Sequence, residues 1–124
     1  MNDIEIYVKK RSMEAVQSWL EASFDKVQHL TTKHRVHDYE VVLGTHTIPV
    51  MIVEQVVGKA WTSLWFKAEG TPWKDDTECA QSAHQHMQCQ VRCNSGPWQE
   101  GADMDEWWQL DESGQSSIIK WPNA

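Results

Sequence analysis

The chain opens on strict alternation. In IEIYVK, residues 4–9, apolar and polar side chains trade places at every step. A period of two is the signature of a strand with one buried face. Ser12 then stands where a helix cap belongs. Met13, Val16, Trp19 and Leu20 recur at the spacing of one helical face, and Phe24 is placed to close that helix against the core. VQHLTT, residues 27–32, makes a weaker strand.

From Arg35 the pattern is that of a meander. RVHDYEVVL (35–43) is followed by a turn at 44–47, IPVMIVEQVV (48–57) by Gly58-Lys59, and AWTSLWFKA (60–68) completes the set. Their β-branched and aromatic content suits strands. The short glycine-containing connections suit antiparallel hairpins. Pro49 falls near the start of its strand, where a missing N–H is tolerated.

Thr71-Pro72-Trp73 breaks the pattern. Asp75, with Glu78 three residues on, resembles a capping box in which Asp replaces the usual Ser or Thr. The spacing predicts a helix from there to about Val91, ended by Cys93-Asn94-Ser95-Gly96-Pro97. Residues 98–105 form a loop, and EWWQLDE and SSIIKW flank residues 113–115 as a closing hairpin. The predicted order is β-α-β-β-β-β-α-β-β. It implies one α+β domain over residues 1–124: an antiparallel sheet, with a meander of about four strands plus edge strands, and two helices packed on one face. The opening β-α-β is a crossover, right-handed if its strands are parallel.

All three cysteines and two of the six histidines fall in residues 79–93. On a continuous helix Ala80, Ala83, Met87 and Val91 form a core face. His86, Cys89 and Cys93, at i, i+3 and i+7, form a second stripe, and thiolate and imidazole are zinc ligands. That stripe has no fourth ligand, and a straight helix spreads His86 and Cys93 over about 10 Å. These three are therefore weak metal candidates. No metal or cofactor is expected, and Cys79 and Cys89 are read as small, partly buried residues.

Charge and composition narrow the partners. The formal net charge is −7. Residues 1–68 are neutral, with eight acids and eight bases, whereas residues 93–119 hold six acids and no Lys or Arg. This argues against nucleic acid, which needs a cationic patch. The first residues contain no signal-like apolar run, and no apolar run approaches the ~20 residues of a membrane span. An odd cysteine count fits a reduced, cytoplasmic protein.

The eight tryptophans are the compositional anomaly. A core this small cannot enclose them all, so some belong to a cleft or an interface. Trp61 and Trp65 are four apart and share one strand face, while Leu64 and Phe66 take the other. Either the two tryptophans line a binding surface, or the loop 69–74 covers them with Trp73. In DMDEWWQLDE (103–112), one of Trp107 and Trp108 must point inward. The other is expected to stand outward amid Asp105, Glu106, Asp111 and Glu112, an apolar anchor with a charged rim. Lys9-Lys10-Arg11 is read as a solvated strand end. No nucleophile elbow, phosphate loop or paired acid marks a catalytic residue. The residues favour a protein-binding module of inhibitor or immunity type, with a basic partner or a second copy of itself. Its site would comprise Trp61, Trp65, Trp73, Asp105, Glu106, Trp107 and Trp108. A small-molecule binder with a Trp-lined cleft comes second, and an enzyme third.

Overall fold

A computed structural model describes residues 3–94 and 106–121. Its elements run β1 (Ile4–Lys9), α1 (Met13–Ser23), β2 (Lys26–Lys33), β3 (Val36–Leu43), β4 (His46–Val57) and β5 (Trp61–Phe66). They continue with α2 (Asp76–Met87), β6 (Val91–Asn94), β7 (Glu106–Leu110) and β8 (Ser116–Lys120). The fold is the expected α+β one. The eight strands form one sheet in the order β2-β3-β4-β5-β1-β6-β7-β8, and each neighbouring pair is antiparallel. Among the described residues no helix is long and apolar enough to cross a membrane.

The first strand in sequence is the fifth in space. β1 pairs with β5 over all six of its residues, from Ile4↔Phe66 to Lys9↔Trp61. On its other side it meets β6 at Tyr7↔Arg92 and Val8↔Val91. Counting alternations across the sheet makes β1 and β2 parallel, with three strands between them. The connection through α1 is thus a crossover.

Both helices cover one face. That face carries Ile4, Ile6 and Val8 of β1, Val50 and Ile52 of β4, Leu64 and Phe66 of β5, and Val91 and Cys93 of β6, all at most 3% exposed. Val16, Trp19 and Leu20 of α1 and Cys79, Ala80 and Ala83 of α2 close over it. The small alanines bring α2 close to β1 and β6. The indole of Trp19 donates to Ser82 Oγ at 3.1 Å, which satisfies its one polar atom and ties the helices together.

The caps form as the sequence predicts. Ser12 Oγ accepts from the Ala15 N–H at 3.2 Å. Asp75 Oδ1 accepts from the Glu78 N–H at 3.0 Å, and Glu78 Oε1 accepts from the Lys74 N–H at 3.0 Å. These contacts satisfy first-turn donors that would otherwise face water.

The second helix is shorter than its apolar spacing predicts. It ends at Met87, because Gln88 adopts the left-handed conformation, φ 54° and ψ 46°. Arg11 fixes this end, its Nε and Nη2 donating to the Met87 and Gln88 carbonyl oxygens at 2.8 Å each. Residues 91–94 are then a strand, not the last helical turn and its stop. Val91 and Cys93 are buried by the alternation of β6 rather than by helical period. The signal was present: residues 88–94, QCQVRCN, alternate polar and small-apolar at period two.

Ile52 lies in the middle of β4, fully buried between β3 and β5. We expect Ile52→Ala to cost about 2–5 kcal/mol in a denaturant melt, the range for truncating a large aliphatic core side chain. A loss below about 0.5 kcal/mol would place this strand outside the core.

Candidate functional site

Both helices lie on one side, so the other side of the sheet has no covering layer among the described residues. Its side chains are the alternate set of each strand, and the strand register arranges them in rows. One row runs Asp38, Met51, Trp65, Glu5 across β3, β4, β5 and β1. The next runs Val36, Val53, Ser63, Tyr7, Arg92, Gln109, Ser117 from β3 to β8. On β7 and β8, Trp107 stands opposite Ile119. Such a mixture of aromatic, aliphatic and scattered charged groups is that of an interface rather than of an ordinary wet sheet face.

Two centres occur on this face. The first is an aromatic cluster over β1, β6 and β7. Tyr7 meets Trp107 and Trp121 edge-on at 5.4 Å each, and Trp121 lies 4.9 Å from Trp61 and 5.2 Å from Trp107. The Arg92 guanidinium sits between Trp61 and Trp121, 4.4 and 4.5 Å from their ring centroids. Its Nε donates to Gln109 Oε1 at 2.8 Å. Arginine satisfies such a site because its planar cation stacks while its edge still donates.

The second centre is Trp65. Its indole N–H donates to Asp3 Oδ2 at 2.9 Å, Glu5 is its cross-strand neighbour, and Lys67 Nζ lies 4.9 Å over the ring. Negative charge collects here. Burial, then the nearby charge of Asp3, raises the Glu5 carboxyl above its usual range. Asp76, at the start of α2, is pushed up to about 6, chiefly by burial. A hydrogen bond from the Glu5 backbone opposes that rise, while the charges of Asp3, Asp75 and Glu5 add to it. In both carboxyls burial penalises the charged form first, and neighbouring negative charge adds to it.

The expected site residues separate accordingly. Trp61 and Trp65 share the open face as expected, with Leu64 and Phe66 turned to the helices. Trp73 does not join them. It lies on the opposite side, stacked on Trp19 at 5.1 Å and edge-on to Phe24 and Phe66 at 5.5 and 5.2 Å. Trp73 therefore extends the core and cannot cover the other two. Trp61 is buried to 7% exposure by Arg92 and Trp121 instead.

Trp107 and Trp108 divide as alternation requires, Trp108 packing against the core and Trp107 lying on the open face. Of the acidic rim expected around the outward tryptophan, only part falls within the described residues. Glu106 has the inward parity of Trp108, Asp105 lies outside the described residues, and the contacts of Trp107 are Tyr7 and Trp121. Among the described residues, Trp65 has acids beside it, Asp3 and Glu5. Trp121 and Arg92 escape sequence reading because their ring partners lie 14 to 114 residues away.

The weak metal stripe is dispersed. His86 is exposed on α2 and hydrogen-bonds Ser18 Oγ at 3.2 Å. Cys89 follows the helix, and Cys93 is inside β6. Among the described residues no group of three potential ligands could hold a metal ion. Burial raises all three thiols, Cys93 to about 12, so they are protonated and unreactive at neutral pH.

A polar chain elsewhere escaped the sequence reading. Glu54 Oε1 lies 2.6 Å from His37 Nε2, His37 Nδ1 lies 2.9 Å from Thr32 Oγ1, and that hydroxyl lies 2.6 Å from His29 Nε2. It stitches β2, β3 and β4 together. Cavities of about 260, 290 and 500 Å³ lie elsewhere, lined by other residues. No protein-family model, curated protein or solved structure matches the chain.

The raised Asp76 carboxyl makes stability depend on pH with a definite sign. Between its ordinary 3.8 and about 6 the folded state holds a proton that the unfolded chain releases. Stability from this group is present at low pH and is lost as pH rises through about 6. We expect Asp76→Asn to flatten that part of the profile and to gain stability relative to wild type at pH 7. Denaturant melts across this range check it. An unchanged slope would remove Asp76 from the acid-rich centre.

Proposed function

We propose that the protein is a binding module for another protein, which it engages through the helix-free face of its sheet, with Trp65 as the central anchor. The observation that carries this reading is the make-up of that face. An indole, a methionine and three carboxylates (Asp3, Glu5 and Asp38) share one patch, and two further acids stand at the start of α2. An apolar anchor with a charged rim is how binding energy is concentrated in protein interfaces. The partner that fits is basic. Its cations would neutralise carboxyls that crowd one another, and the chain's charge of −7 would steer its approach. A role as inhibitor or immunity-type protein against a basic target suits this design, and a second copy of the chain is the alternative occupant.

The geometry favours this over the small-molecule reading. Small ligands bind in concave, largely apolar pockets. Here the space between Trp61 and Trp121 is filled by Arg92, and Trp65 lies on an open sheet surface.

The test pairs folding with capture. We expect Trp65→Ala to melt within a few degrees of wild type yet to recover the partner at least tenfold less well, as loss of an interface anchor does. The double variant Asp3→Lys, Glu5→Lys should chiefly slow association, and less so as salt rises. If the folded variants keep every partner that wild type captures, or wild type captures none, the reading fails.

A further inference from the structure

The partner surface leaves one sequence feature unexplained, the three consecutive cations Lys9, Lys10 and Arg11. They lie at the opposite end of β1 from Asp3 and Glu5. The backbone here is tightly placed. The Lys9 N–H donates to the Gln90 carbonyl oxygen at 3.1 Å and the Lys10 N–H to that of Ala60 at 2.7 Å. Lys10 itself is left-handed, φ 53°. Arg11 is fixed by three backbone acceptors, the carbonyl oxygens of Met87, Lys10 and Gln88, each at 2.8 Å. A guanidinium has five N–H donors, so two remain.

These three residues, the connection 88–90 and Glu112 enclose a cavity of about 260 Å³. Among the described residues no carboxylate lies within ion-pair distance of either lysine amine. Glu112 is, among the described residues, the one carboxylate lining the cavity. The Arg11 hydrogen bonds secure the end of α2, yet they leave two guanidinium donors and two lysines beside a cavity that a solvated strand end does not need.

We propose that this cavity is a small-anion site for a phosphate-bearing molecule, with Lys9 and Lys10 as mobile point charges and Arg11 as the fixed donor. Arginine and lysine divide phosphate recognition in this way, one through geometry and the other through charge. Glu112 opposes the ligand and sets its affinity low. The volume is below that of ordinary ligand pockets, so the ligand is one or two phosphoryl groups rather than a whole nucleotide. The site is independent of the Trp65 surface.

The test is a titration of isotope-labelled protein with pyrophosphate at constant ionic strength, followed by amide resonances. Saturable shifts should be confined to residues 9–11 and 88–90, with a Kd at or below about 1 mM. Lys9→Gln with Lys10→Gln should weaken binding at least tenfold, since two charge-assisted contacts are lost. Glu112→Gln should tighten it. The site is rejected if wild type shows no saturable shift, if the shifts spread equally over Lys26 and Lys33, or if the double lysine variant binds as well as wild type. Should that variant fail to fold, Glu112→Gln decides alone: an affinity equal to wild type rejects the site.

Discussion

The structure depends on the insertion of β1 between β5 and β6. This strand comes first in sequence but pairs with residues 52 to 62 positions later in β5 and 83 to 85 positions later in β6. Without it the meander β2–β5 and the C-terminal strands β6–β8 would be separate sheets with two extra open edges. Its inward residues Ile4, Ile6 and Val8 form the midline of the core. Its outward residues Glu5, Tyr7 and Lys9 form the midline of the open face. A one-residue slip would exchange the two sets, burying a carboxylate and an amine beneath the helices. Register in this one strand therefore fixes both the core and the surface proposed to bind.

The same strand separates charge. Asp3 and Glu5 at its start join Asp75 and Asp76 at the head of α2. Lys9, Lys10 and Arg11 at its end meet the tail of α2 through the Arg11 hydrogen bonds. Both ends of α2 thus receive complementary charge, with acids near its N-terminus and a guanidinium on its last carbonyls. Between the two poles lies the aromatic cluster that holds Arg92. The open face thus offers an acidic anchor at Trp65, while the basic cavity lies at the other end of β1, beside the tail of α2.

Much of the fold was legible in the sequence, and the reasons are local. Ser12 and Asp75 announced their helices through capping chemistry, and IEIYVK announced its strand through alternation. Glycine turns at Gly44 and Gly58 both adopt positive φ, as tight hairpins require. The failure at Val91 was a choice between two periods. Ala80, Ala83, Met87 and Val91 fit a helix, but the alternation of QCQVRCN fits a strand, and Arg11 fixes the end of the helix at Met87 from far away in sequence. The site was less legible for the same reason. Alternation correctly put Trp61 with Trp65 and parted Trp107 from Trp108. It could not show that Asp3 would meet Trp65, that Arg92 would lie between Trp61 and Trp121, or that Trp73 would reach Trp19. Those are cross-strand and helix-sheet contacts, set by topology rather than by neighbours in the chain.

The claim that the helix-free face is the binding face is tested most directly by cross-saturation from the captured partner to the labelled protein. The account predicts transfer to the indole N–H of Trp65 and to amides along the open rows of β3, β4, β5 and β1, with little at Trp19 or on α1 and α2. Transfer centred on the helices, with Trp65 unaffected, would contradict it.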